Sequence, residues 1–305
     1  MRHVVPRSLK STWRKRSDTG FALVLVLWIL GALSVLATVY ASYVAATAAE
    51  TTDYVEPLKA EAMAQAALEL TAWRELASPP QQRAGQGNFA FRLDDAVVTV
   101  AYSCENSRID LNAAAEDLVA GLLVSFGRSP ATAKGYARRI VEWRTKIAGL
   151  ANTKNSASSQ PAAQTSGFQH VAELANIPDL PAQVVKQIMP YVTVYSADPK
   201  VNALTAAPQI IAALPGVTRE RLDAFLAARA DASRKNQPIP LDALGPAQDF
   251  VTRSAGSTLR VDVRIQFANG HRKSVEAVIK LFSQGSEPFS VLTWLDDSFD
   301  TELPS

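Results

Sequence analysis

The chain has 305 residues, 31 Lys and Arg against 29 Asp and Glu, and a single cysteine, Cys104. One thiol excludes an internal disulfide, and a net charge of +2 gives no electrostatic case for a nucleic-acid partner. Beyond the N-terminal tail and apolar stretch about 250 residues remain, enough for one large domain or two smaller ones with a sizeable core.

Residues 1–20 are polar and basic, carrying Arg2, Arg7, Lys10, Arg14, Lys15 and Arg16. No charged residue follows until Glu50, and the next are also acidic, Asp53 and Glu56. A bilayer core takes about 20 apolar residues in a helix, so Phe21–Ala49 reads as a transmembrane helix. The basic tail leaves the N-terminus in the cytoplasm and puts everything past about Ala49 on the far side. A secretory signal places its small-residue cleavage site after the apolar region; here Gly20 comes before it. A cut after Gly20 removes only the basic tail and keeps the helix. An anchor that is never cut fits the same residues.

Thr51–Leu76 is rich in strong helix formers, so the helix is expected to continue, with a kink at Pro57 and an end at Ser78-Pro79-Pro80. Met63, Ala67, Leu70, Trp73 and Ala77 are expected to form its apolar stripe. Asn88–Tyr102 reads as a β-hairpin turning at Asp94-Asp95. Glu105–Arg108 is a polar loop. Asn112 is the expected N-cap of a helix over Ala113–Phe126, Gly127 its end, and Ser129-Pro130 the start of the next. Thr145–Gly167 has no periodicity and reads as a linker. Pro178 and Pro181 divide His170–Met189 into a helix, a turn and a second helix, and Tyr191–Tyr195 reads as a strand.

Val201-Asn202 repeats Leu111-Asn112, each an Asn ahead of a short helix, a Gly-containing turn and a second helix. The two copies resemble helix-hairpin-helix units. Hairpin glycines let backbone amides approach a phosphate in DNA-binding versions. The same hairpin also simply packs two helices, which suits a chain without a basic hairpin loop. Leu259–Phe267 and Ser274–Phe282 alternate around Asn269-Gly270, a strong hairpin signal, and Phe289–Leu295 is a further strand. The expected fold is α+β: a long N-terminal helix on a small antiparallel sheet, interrupted by an all-α insertion. The expected divisions are a leader over 1–20, a membrane helix over 21–49, an α/β domain from 50–111 and 245–305, and the insertion over 112–244.

No nucleophile elbow, phosphate-cradling glycine loop or zinc spacing is present. Cys104 reads as a small core residue, and Asp94, Asp95 and Glu105 as turn and loop carboxylates. No enzyme, metal or cofactor is expected.

A basic tail, then Gly20-Phe21-Ala22-Leu23, then an uninterrupted apolar helix resembles the processing signal of type IV pilins and type II secretion pseudopilins. Most of that family has Glu at the fifth mature position; here it is Leu25, as in the K-type (GspK) minor pseudopilins. Glu105–Asn112 resembles that subclass's Gly-Lys-Ile-Asn-Leu-Asn segment, with Ser107 for Gly and Asp110 for Asn. VAELANIPDLP and PYVTVY within Phe168–Tyr195, and VNALTAAPQIIAALPGV over Val201–Val217, resemble further signatures. The resemblance implies a pilin-like domain with a large helical insertion containing SAM-like units. It implies cleavage after Gly20 by a prepilin peptidase and methylation of Phe21. It implies an inner-membrane, mostly periplasmic protein that joins I- and J-type pseudopilins, the major pseudopilin and the assembly platform, at the tip of the pseudopilus. Some relatives carry a calcium-linked acidic loop after the helix that ends in Trp143; this chain continues Arg144-Thr145-Lys146-Ile147, so no calcium site is expected. A membrane-anchored DNA receptor is the alternative.

Overall fold

The structure, a computed structural model, describes residues 19–155, 167–235 and 237–297. Most of the expected leader and the middle of the expected linker lie outside these residues. The chain divides into two units, Met1–Lys59 and Ala60–Ser305. Helix α1, Thr19–Leu76, contributes to both and contains Pro57.

In the first unit, Leu23–Val44 is long and apolar enough to cross a membrane, and none of it is buried. Its 22 residues span about 33 Å at 1.5 Å per residue, close to the hydrocarbon thickness of a bilayer. Two of its hydroxyls bond within the helix: Thr38 donates to the Ser34 carbonyl and Ser42 to that of Val39. A spanning helix has no water to bond and must satisfy its polar groups this way.

The second unit opens with the C-terminal part of α1, which packs on a five-stranded antiparallel sheet. The strands are β1 (Gln86–Leu93), β2 (Ala96–Cys104), β7 (Thr258–Phe267), β8 (Arg272–Leu281) and β9 (Phe289–Asp297), in the order β1-β2-β7-β8-β9. Period-two alternation puts Val98, Val100, Val261, Val263, Ile265, Val275, Ala277 and Ile279 on one buried face. The expected turns are present: Asp94 has φ 54° between β1 and β2, and Gly270 has φ 92° between β7 and β8.

The buried stripe of α1 differs from the expected one. It is Ala60, Met63, Ala64, Ala67, Leu68, Thr71, Ala72 and Glu75, while Trp73 is 68% exposed and Ala77 lies outside. Small side chains bring the helix close to the sheet, and a tryptophan there would hold it off. Glu75 stays buried because its carboxylate accepts hydrogen bonds from the Tyr102 hydroxyl at 2.9 Å and the Gly85 amide at 3.4 Å. Burial, then the Glu75 charge, pushes the Tyr102 phenol up to about 12.

Between β2 and β7 the chain is mainly helical, with four two-residue strands. It forms β3 (Ile109–Asp110), α2 (Glu116–Ser125), α3 (Pro130–Asn155), α4 (Ala182–Ile188), β4 (Val192–Thr193), β5 (Val201–Asn202), α5 (Pro208–Ala212), α6 (Arg219–Lys235) and β6 (Val251–Thr252). Their buried side chains, from Ile109 to Val251, share one hydrophobic core, and the sheet and α1 share another. Three expectations change here. Asn112 does not cap α2; the Asp110 carboxylate takes the Asn112 and Ala113 amides into a tight turn, and α2 starts only at Glu116. Thr145–Asn155 continues α3 rather than starting a linker, as suits its Ala, Leu and Lys content. The expected strand Tyr191–Tyr195 shrinks to Val192–Thr193, because the Tyr195 amide donates to the Thr193 hydroxyl and turns the chain.

Candidate functional site

Gly20 and Phe21 lie in the first turn of α1, and Leu25, one turn on, is 52% exposed. The three therefore fall on one continuous helix, at the start of a wholly exposed apolar surface. Around Gly31 that surface has a shallow recess lined by Val24, Leu27, Trp28, Ala32 and Val35. A side chain at Gly31 would meet nothing within 4 Å. The recess comes from local sequence alone, a glycine and an alanine between large residues. It is the shape that lets a second helix approach closely in lipid.

A second feature was not foreseen from sequence. Glu105, expected in a polar loop, sits in a one-turn 3₁₀ helix (Glu105–Ser107) at the end of β2 and is fully buried. Its carboxylate accepts from Arg260 Nε on β7 at 2.8 Å, from Arg108 Nη1 at 3.2 Å, and from the Thr193 hydroxyl on β4. Arg260 also pairs with Glu276 on β8. Burial pulls Arg260 down, but the bonds and charges of Glu105 and then Glu276 outweigh it and leave the guanidinium above its ordinary value. Arg108 shifts the other way, because burial outweighs its Glu105 contact. The neighbouring Asn106 donates to the Ser254 carbonyl and accepts from the Gly256 amide. This polar cluster joins the sheet to the helical segments. Every group in it has a partner, so it holds elements together rather than offering a reactive atom.

The helical segments form two copies of one plan, shifted from the expected register. Ile109-Asp110, not Leu111-Asn112, matches Val201-Asn202. Each pairs in parallel with a Val-Thr dipeptide, Val192-Thr193 and Val251-Thr252. Asp110 and Asn202 each hold the following turn through side-chain oxygens. Each copy then makes a helix, a left-handed glycine (Gly127 at φ 82°, Gly216 at φ 78°) and a second helix whose amide is capped by Ser129 or Thr218. In each copy an arginine from the second helix returns to the opening turn. Arg144 donates to the Leu111 and Ala114 carbonyls, and Arg229 to those of Ala203 and Ala206. The expected hairpin glycines are where the sequence put them. The returning arginines gave no sequence signal, since their partners lie more than twenty residues away.

Cys104 is buried at the end of β2, beside the hydroxyls of Ser107 and Thr205. Among the described residues no group of three or more His, Cys, Asp or Glu is placed to hold a metal ion.

No family profile and no curated protein matches the sequence. A solved structure does. A chain of the crystal structure of the GspK-GspI-GspJ complex, from the type 2 secretion system of enterotoxigenic Escherichia coli, superposes with a TM-score of 0.55 at 15% identity. The match covers 82% of this chain and 99% of that chain. The two share a fold: a helix on an antiparallel sheet, with many further helices in the same chain.

Proposed function

We propose that this chain is a K-type minor pseudopilin of a type II secretion system, and acts by assembly rather than by catalysis. The observation that carries this is the joining of two features in one chain. One is an exposed apolar span of membrane length, and the other is a fold shared, over nearly the whole of the matched chain, with a component of a pseudopilin complex. On this reading residues 1–20 are a leader removed by a prepilin peptidase on the cytoplasmic face, and Phe21 becomes the methylated N-terminus. Residues 50–111 with 245–305 form the pilin-like domain and 112–244 the insertion, with the bulk periplasmic.

Leu25 then has a physical role. A glutamate at that depth in lipid needs a partner, such as the amino terminus of a neighbouring subunit. A subunit at the pseudopilus tip has no subunit beyond it, so an apolar side chain is favoured. The insertion obstructs stacking above, which also suits a tip. The recess at Gly31 and Ala32 receives the spine of an I- or J-type partner.

Mass spectrometry of the mature protein tests this directly. A chain starting at methylated Phe21, recovered together with I- and J-type partners, is the expected result. An intact Met1 in cells with an active prepilin peptidase would refute it.

A further inference from the structure

Residues 60–76 of α1 have two flanks against the sheet. On the β1 side the Arg74 guanidinium lies over the Phe89 ring, 4.6 Å from its centroid, and covers the seam. The β9 side is open. There Gln65, Glu69, Trp73 and Leu76, which follow one flank of the helix at spacings of three and four, face the segment Glu287–Val291 across a groove of about 640 Å³. Gln65 donates to the Glu69 carboxylate and holds it at the rim. The exposed ring of Trp73 and the half-buried Phe289 make the groove apolar within. Its ionisable lining groups, Glu69 and Glu287, are both acidic, and no Lys or Arg lines it.

β9 is the last strand in the sheet order, so among the described residues nothing pairs with its outer edge. An unpaired edge offers a row of backbone N–H and C=O groups to another strand. The pairing register with β8 shifts between Val278 and Ile279, which leaves Leu292 as a bulge. Phe289–Val291, before the bulge, is the part of β9 that lines the groove.

We propose that this groove binds an extended segment of another polypeptide chain. The segment adds to the sheet along β9, starting beside Phe289–Val291, and carries a lysine or arginine to Glu69 and Glu287. Main-chain pairing at the edge provides binding, and the alternate side chains that enter the groove provide selectivity. An apolar side chain rests on Phe289 and Leu76, and the cation lies within reach of both carboxylates and the Trp73 ring. The proposal is independent of the pseudopilin reading, since it needs only the groove, the edge and the charges.

The test uses the full chain in detergent micelles and two labelled peptides matched in length to β9, each with threonine on one face of the strand and, on the other, valine alternating with lysine in the first (the lysine peptide) and with glutamate in the second (the glutamate peptide). The lysine peptide is expected to bind saturably and to protect the amides of residues 289–297 from hydrogen exchange. Glu69→Gln with Glu287→Gln, both at exposed positions, is expected to weaken it about fivefold at low salt, the scale of two solvent-exposed ion pairs, and to remove most of its salt dependence. Glu69→Lys with Glu287→Lys is expected to reverse the preference towards the glutamate peptide. Absence of saturable binding, equal binding of both peptides by the wild type, or binding without protection of β9 overturns the proposal.

Discussion

Replacing Glu105 with alanine probes the cluster that joins the sheet to the helical repeats. Its carboxylate is wholly buried, and it takes Arg260 from β7, Thr193 from β4 and Arg108 from the end of its own turn. Removing one partner of a buried ion pair costs about 3–5 kcal/mol, because the other charge stays buried without compensation. Here Arg260 keeps Glu276, and Arg260 and Arg108 retain 18% and 22% of their side-chain surface in water. The lower end therefore applies, about 3 kcal/mol for Glu105→Ala. Glu105→Gln keeps the shape and an acceptor for Thr193 but not the charge, and is expected to cost about 1.5–3 kcal/mol. The assay is urea denaturation of the full chain in detergent, followed by far-UV circular dichroism. A loss of 3 kcal/mol shifts the midpoint by about 1 M or more. The double variant Glu105→Ala with Arg260→Ala should lose less than the sum of the two single variants. A Glu105→Ala midpoint within experimental error of wild type, or strict additivity in the cycle, would sink the argument.

Arg144→Ala and Arg229→Ala each remove a guanidinium that holds two carbonyls of an opening turn; each is expected to cost about 1.5–3 kcal/mol in the same denaturation assay, because hydrogen bonds to charged donors are the stronger kind. A large cost at one site and none at the other would contradict the equivalence of the two repeats. Gly121→Ala puts a methyl group into the Ala213 carbonyl, whereas the position beside Gly135 in α3 is open. The first is expected to destabilise by at least about 1–3 kcal/mol and the second to stabilise by about 0.5–1 kcal/mol, read as opposite shifts in melting temperature. Tyr102 holds its proton more tightly when folded, to about 12 against an ordinary 10.0, mainly through burial and then through Glu75. Its contribution to stability is thus complete below pH 10 and lost as pH rises towards 12. Tyr102→Phe should flatten the fall in stability across that window and remove a late phenolate transition from the ultraviolet titration.

Much of the α+β architecture is legible in the residues. The alternation at Val261, Val263, Ile265 and Phe267 places β7, Asn269-Gly270 places the turn after it, and Ser129-Pro130 places the start of α3. These signals act over a few residues and are strong where one face is buried. The errors fall where neighbours distant in sequence decide. Trp73 fits a helical stripe by spacing, but the sheet takes the adjacent, alanine-rich face. Asn112 looks like a cap, yet Asp110 reaches the same amides first and Asn112 is drawn to the backbone of Phe168. The repeat is visible in the sequence but misaligned by two residues, because its register is set by parallel pairing with Val192-Thr193 and Val251-Thr252.

By itself, then, the sequence determines the apolar span that starts at Phe21, the residues Gly20 and Leu25 at its head, the strands and the two hairpin glycines. Each of these follows from local composition, period or backbone freedom. Only the tertiary structure decides that Glu105 is a buried ionic junction rather than a loop carboxylate, since its partner Arg260 lies 155 positions along the chain. It alone also leaves one flank of α1 open beside the edge of β9. Burial, ion pairing and unpaired edges depend on which surfaces meet, and no short window of residues contains that information.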